Sequence, residues 1–96
     1  MSKVNVSLKI PVNFIKEGKY FTAFTPAFDL ATQGDSLEDA KKMFIEAVQI
    51  FIDELNESGN LEEELLSLGW KKINGNLKPP RQIVEEVTVP VNIVNA

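Results

Sequence analysis

The chain of 96 residues contains no cysteine and no histidine. Without cysteine, disulfide bonds, thiol nucleophiles and thiolate metal sites are excluded. Without histidine, the commonest general base and the commonest transition-metal ligand are missing. The composition therefore disfavours most enzyme classes, and only chemistry that depends on carboxylates stays open.

Positive charge is also scarce. Ten lysine and arginine residues stand against 14 aspartate and glutamate residues, which gives a net charge of -4 and a pI near 4.8. Because binding to nucleic-acid phosphates needs a basic face, we expect no direct DNA binding. An acidic surface suits a basic protein partner through electrostatic steering. The same charge is also ordinary for a soluble protein, so charge alone does not decide between these interpretations.

Long apolar runs are missing as well. No stretch approaches the ~20 apolar residues of a membrane span, and the start of the chain, Met1-Ser2-Lys3, lacks the apolar run of a signal peptide. We therefore expect a cytoplasmic protein that does not associate with membranes. The length predicts a single domain over residues 1–96, with a core modest enough that dimerisation would help to stabilise it.

Alternation of apolar and polar residues predicts strands in the first third of the chain. Residues 4–15 alternate almost without interruption, and Pro11 marks this strand as an edge or a bulge. A polar turn at residues 16–19 leads into a second strand, Tyr20 to Thr25, which is apolar enough on both faces to be central and covered on both sides. Residues 29–32 are predicted to form a short third strand.

One long amphipathic helix follows, and the chain is organised around it. Ser36 is predicted to be its N-cap, with Asp39 three residues on in a variant of the capping box. In the preceding turn, Gln33-Gly34-Asp35, we expect Gly34 to adopt a positive φ.

The apolar arc of this helix is wider than packing on a sheet needs. Residues between Leu37 and Leu55 form a sheet-facing band about 100° wide. Met43 and Ile50 widen the band on one flank, and Ile45 and Ile52 widen it on the other. The surplus flank must therefore meet a second helix, a second subunit or a partner.

The last 40 residues predict smaller elements. Asn60 is a candidate cap for a short second helix over residues 60–68. Asn74-Gly75 favours a small hairpin within residues 70–78, whose structure is otherwise ambiguous, and residues 78–81 form a proline-rich linker. A final, edge-like strand over residues 83–94 is expected to pair with its own sheet or with a neighbouring subunit. The predicted fold is α+β, with a small antiparallel sheet of three to four strands packed on one long helix.

Acidic side chains cluster at the start of the long helix. Asp35, Glu38 and Asp39 have the chemistry of a Mg²⁺ or Ca²⁺ site. Capping and complementarity to the helix dipole explain all three without a metal. No phosphate-binding glycine motif is present. We therefore expect no catalytic, metal or cofactor site, and no enzyme activity.

An ordered string of residues across the second strand, the turn and the helix start resembles the short form of the HicB family of antitoxin-like proteins. The likeness covers roughly residues 8–56. The string consists of Glu17, Tyr20, Ala23, Pro26, Asp29, Ala31, Thr32, Gln33, Gly34, Asp35, Ser36, Glu38 and Ala40.

The resemblance implies a truncated ribonuclease H-like fold, as in the N-terminal domain of HicB proteins. It also implies that the chain neutralises a small basic RNA-cleaving toxin. The family motif serves as a fold signature and a candidate partner contact; its residues are Tyr20, Ala23, Pro26, Asp29, Gln33, Gly34, Asp35, Glu38 and Ala40. Many family members carry a DNA-binding domain after this one, but residues 57–96 are too few and too acidic for it.

Self-association is the alternative function. On this hypothesis the chain is a structural, oligomeric domain without a toxin, as a dimer or a higher homo-oligomer. The wide apolar arc and the proline-marked edge strands favour it. The candidate interface consists of Ile45, Ile52, Val87, Val89 and Val91.

Overall fold

A computed structural model describes residues 8–94 of the chain. In chain order the elements are β1 (Asn13–Glu17), β2 (Tyr20–Thr25), β3 (Leu30–Gly34), α1 (Leu37–Ser58), α2 (Leu61–Ser67), β4 (Lys71–Ile73) and β5 (Asn76–Lys78). The first three strands form an antiparallel sheet in the order β1-β2-β3, and α1 packs on it. The predicted small antiparallel sheet on one long helix is confirmed.

The first strand is shorter than the sequence predicts. Its ladder with β2 begins at the pair Asn13↔Phe24 and ends at Glu17↔Tyr20. The ladder stops one pair short of Thr25, the last residue of β2, and residues 8–12 form no strand; residues 4–7 lie outside the described residues. The Thr25 hydroxyl donates to the Pro11 carbonyl at 2.7 Å and holds this segment beside the sheet.

The central position of β2 is as predicted, but its two-sided cover is not. Ala23 is fully buried and packs with Ala40 and Phe44 of α1. Tyr20 lies on the opposite face of the strand and is 48% exposed. Within residues 8–94 the helices pack on only one face of the sheet, so the apolar residues on the other face stay partly open.

The N-cap of α1 forms as predicted. The Ser36 hydroxyl accepts a hydrogen bond from the Asp39 N–H at 3.0 Å, and the Asp39 carboxylate accepts one from the Asp35 N–H at 2.9 Å. Asp39 thus reaches one residue further back than in the standard capping box. These bonds, together with Glu38 in the first turn, fit the structural interpretation of the acidic cluster.

We expect Ser36→Ala to lower the free energy of unfolding by about 1 kcal/mol, because the Asp39 N–H loses its acceptor. Ser36→Asp keeps an acceptor at the cap and should leave stability nearly unchanged. Urea denaturation measures both variants. Equal losses for alanine and aspartate would contradict the capping role.

Asn60 is the N-cap residue of α2 by position, as predicted, but the expected capping bond of its side chain does not form. The Asn60 backbone lies at φ -105° and ψ 13°, outside the extended region typical of N-caps. The Asn60 N–H instead donates to the Leu55 carbonyl at 3.1 Å and completes the end of α1, where Gly59 adopts φ 77°. With only Gly59 and Asn60 between the two helices, the geometry of the first helix end determines the backbone at Asn60.

The end of α2 turns the chain back into the core. Gly69 adopts φ 97°, its N–H donates to Leu66, and the Trp70 N–H donates to Leu65 at 3.0 Å. These two bonds are those of a Schellman motif. The motif brings Trp70 against Leu65, Ala27 and Phe28, which form one buried cluster. Ala23, Ala40 and Phe44 form the other, and both contact Ile10, Leu30 and Val48.

The C-terminal part forms one small hairpin and then an extended tail. β4 and β5 pair around Asn74-Gly75, whose φ values of 51° and 79° are those of a type I′ turn. The strand predicted over residues 83–94 does not form in the single chain, because no strand lies alongside it. The described part of the chain measures 68 × 31 × 20 Å.

Candidate interaction surfaces

The helical part of the chain carries most of the negative charge. Between residues 43 and 70 the sequence has seven acidic residues and no lysine or arginine. All seven are exposed, and they belong to α1, from its middle onward, and to α2: Glu46, Asp53, Glu54, Glu57, Glu62, Glu63 and Glu64. The seven negative charges of this acidic surface exceed in number the net charge of -4 of the whole chain. The remaining residues are therefore net basic.

Three of these acidic residues and one isoleucine form a stripe along one side of α1. Glu46, Ile50, Asp53 and Glu57 follow each other at intervals of four, three and four residues, which places them on the same face. Ile50 is 60% exposed in the middle of this stripe. We call these four residues the acidic stripe. A large apolar side chain surrounded by charges has the composition of a binding hot spot with a polar rim.

The carboxylates of the acidic stripe form no ion pair with the described part of the chain. The two salt bridges found within residues 8–94 lie elsewhere. Glu62 pairs with Lys72 at 2.9 Å, and Glu38 pairs with Lys41 at 3.6 Å. The charges of the stripe are therefore available to a basic partner.

An apolar groove opens on the neighbouring flank of α1, and Asp53 belongs both to its lining and to the acidic stripe. It lies between this helix and the segment that leads into β1, at the edge of the sheet, and its volume is about 670 Å³. Phe14 pairs in register with Ala23, whose side chain packs on α1, so Phe14 and residues of the same parity face the helix. The lining consists of Leu8, Ile10, Val12, Phe14, Lys41, Phe44, Ile45, Val48, Gln49, Ile52 and Asp53.

The groove explains the surplus flank of the helix. Ile45 and Ile52, both predicted interface residues, line it together. Ile45 is 50% exposed, whereas Ile52 also packs on the buried cluster around Trp70. Val87, Val89 and Val91, the other predicted interface residues, lie on the extended tail and do not line the groove of their own chain.

The motif residues separate into three groups. Ala23 and Ala40 are fully buried in one core cluster, and Gly34 lies where β3 meets α1. Pro26 and Asp29 begin and end the turn after β2, in which the Asp29 N–H donates to the Pro26 carbonyl and Asp29 adopts φ 49°. The other four motif residues, all exposed, are Tyr20, Gln33, Asp35 and Glu38.

Sequence reasoning missed the acidic stripe. The signal that could have revealed it is the run of acidic residues without a lysine or arginine, together with the helical spacing of three of them around Ile50. It also missed the second wall of the groove, which comes from the segment before β1. No group of three acidic side chains within residues 8–94 is arranged to hold a metal ion.

Comparison with models of protein families, with curated proteins and with solved structures gives no match to this chain. None of the helices in residues 8–94 is long and apolar enough to span a bilayer.

Proposed function

We propose that this chain is a HicB-like antitoxin or a relative of one: a protein-interaction module that binds and neutralises a small basic RNA-cleaving toxin. The observation that carries the proposal is the exposed acidic surface between residues 43 and 70, which has seven acidic residues and no lysine or arginine. The motif string from Glu17 to Ala40 supports it through its resemblance to that family. The proposal includes a truncated ribonuclease H-like arrangement of the sheet and α1.

The chemistry of neutralisation follows from what such a toxin must bind. An RNA-cleaving protein holds the phosphates of its substrate with lysine and arginine side chains. The carboxylates of the acidic stripe, Glu46, Asp53 and Glu57, present negative charges along one helix face. They attract the same cationic groups, speed the encounter and compete with RNA. Ile50 supplies the apolar contact that slows dissociation.

Enzyme activity is not part of the proposal. The three strands of the sheet, NFIKE, YFTAFT and LATQG, contain a single acidic residue, Glu17. Metal-dependent nuclease chemistry on a ribonuclease H-like sheet needs several carboxylates held close together. We therefore propose a binding protein that acts in the cytoplasm, without direct DNA binding.

The test is binding to a candidate toxin, a small basic RNA-cleaving protein encoded beside this chain, measured by calorimetry. The triple variant Glu46→Lys, Asp53→Lys, Glu57→Lys reverses the stripe. Because exposed ion pairs each contribute roughly 0.2–1 kcal/mol and reversal adds repulsion, we expect the Kd to rise about 100-fold. The effect should weaken as salt concentration increases.

A matched variant separates local charge from net charge. This control is the triple variant Glu17→Lys, Glu85→Lys, Glu86→Lys. It changes the net charge by the same amount, at exposed positions outside the acidic surface. Its Kd should change only a few-fold. Equal weakening by both variants would contradict a specific role for the stripe, and no binding by the unchanged chain would contradict the proposed function.

Self-association is the second candidate function, and it is compatible with the first. The observation that favours it is the tail, in which Ile83, Val84, Val87, Val89, Val91, Ile93 and Val94 are all 67–89% exposed. Apolar surface of this extent marks an interaction site in a protein that stays in solution.

A further inference from the structure

We propose that residues 83–94, the tail, lie in the groove of a second copy of this chain, and that the exchange is reciprocal. The row Val87, Val89, Val91 and Ile93 faces into the partner's groove between α1 and the segment before β1. The inference rests on the self-association proposed above and specifies its geometry. It does not depend on binding to a toxin.

The tail needs a partner that its own chain does not supply. Val89 is 67% exposed, Val91 is 72% exposed and Ile93 is 85% exposed, while Glu86, Thr88 and Asn92 occupy the alternate positions. This alternation is typical of an extended segment with one covered face and one face in water. In the single chain the apolar row faces solvent.

The groove matches the tail in length and spacing. Its outer wall presents four apolar side chains at alternate positions over seven residues, from Leu8 to Phe14. The tail presents four over seven residues, from Val87 to Ile93. The opposite wall, on α1, is mixed: Ile45 and Ile52 lie there together with Lys41, Gln49 and Asp53. An extended segment laid along this edge would cover apolar residues on both walls.

The path of the tail favours the groove of a second copy over the groove of its own chain. The tail follows Pro79 and Pro80, which are half-buried, and Pro80 lies beside Gly69. Two consecutive prolines hold the backbone extended. The tail therefore leaves its own domain and contributes to a longest dimension of 68 Å against 31 and 20 Å.

The proposed interface has the size that a stable dimer needs. Each copy contributes the 12 residues of the tail and the 11 residues that line the groove. Stable interfaces involve about 20–30 residues on each side. Because each tail occupies the other copy's groove, two-fold symmetry closes the assembly at a dimer.

The absence of cysteine makes disulfide trapping directly interpretable. Ile45→Cys is prepared in one batch of full-length chain, and Val89→Cys in a second batch with an affinity tag. The two are mixed, oxidised and analysed on a non-reducing gel. The control is Val89→Cys mixed with Gln33→Cys, whose cysteine lies at an exposed position on the other edge strand. We expect the pair of Ile45→Cys and Val89→Cys to form several times more mixed disulfide dimer than this control. Equal yields would overturn the proposal.

Light scattering on full-length variants tests the row of apolar residues. Val89→Asp, Val91→Asp should be a monomer at concentrations where the unchanged chain is a dimer, because two charges would enter an apolar groove. Thr88→Asp, Asn92→Asp adds the same charge to the other face and should stay dimeric. The tail substitutions do not touch the core, so misfolding does not confound the result.

The outcomes separate this inference from the proposals on which it rests. A dimer without the mixed disulfide overturns tail exchange and leaves self-association standing. A monomer at all concentrations overturns both. Neither result bears on toxin binding through the acidic stripe.

Discussion

Trp70→Ala is expected to lower the free energy of unfolding by about 3–5 kcal/mol, the range measured for removal of large buried aromatic side chains. Trp70 is only 3% exposed, and its ring lies 5.4 Å from that of Phe28. The indole N–H donates to the Ala27 carbonyl at 2.7 Å, a buried bond that joins residues 43 positions apart. Because small domains have a total stability of only about 5–15 kcal/mol, this loss would leave a marginal fold.

Trp70→Phe separates packing from hydrogen bonding. The phenylalanine ring keeps much of the contact with Phe28 and Leu65 but leaves the Ala27 carbonyl buried without this donor. An unsatisfied buried acceptor costs about 1–3 kcal/mol. Leu66→Ala, at a 45% exposed position of α2, is the control for helix effects. Urea denaturation with circular dichroism measures all three, and a loss below about 1 kcal/mol for Trp70→Ala would contradict this account of the core.

Gly34→Ala is expected to cost about 3 kcal/mol, near the upper end for overpacking. A Cβ at this position would lie 2.3 Å from the Ala40 backbone nitrogen and 2.7 Å from its Cα. Both atoms belong to the backbone of α1, so relief requires the whole helix start to move away from β3. The predicted positive φ is wrong, since Gly34 is not among the residues with positive φ. Close approach of strand and helix is the physical reason for glycine here.

Gln33→Ala is the matched control for this site. Gln33 precedes Gly34 in the same strand, its side chain is exposed, and its loss should change stability by about 0.5 kcal/mol or less. The two variants are compared by their midpoints in urea. Similar midpoints would show that the helix start yields to the extra methyl group, contrary to the close packing described here.

Local signals in the sequence were sufficient for the parts of the fold that depend on neighbours in the chain. The aromatic and β-branched residues between the polar turn and Pro26 predict the observed bounds of β2, Tyr20–Thr25. The polar Ser36 before an apolar-periodic run predicts where α1 begins. The Asn74-Gly75 pair favours the hairpin that forms around it. Each of these signals acts within a few residues.

Features that depend on distant contacts could not be predicted in the same way. Residues 83–94 alternate like a strand, but a strand exists only where a second one supplies hydrogen bonds. Gly34 looks like a turn glycine until the approach of Ala40 is known. In each case a tertiary contact overrides a local preference.

The candidate surfaces were predictable in composition but not in shape. Counting charges shows the acidic run, whereas the stripe around Ile50 emerges only when helical spacing is applied to it. The wide apolar arc predicts that Ile45 and Ile52 meet something, and the structure supplies a groove rather than a closed contact. The resemblance to HicB proteins stays a prediction that only binding can test.

RNA cleavage by the small basic toxin is the most direct measurement of the proposed function. Fluorescent RNA is incubated with the toxin and increasing amounts of the full-length chain. We predict that one molar equivalent abolishes cleavage, while the variant Glu46→Lys, Asp53→Lys, Glu57→Lys requires a large excess. Cleavage that continues undiminished with excess folded chain would contradict the central claim that this protein neutralises a basic RNA-cleaving partner.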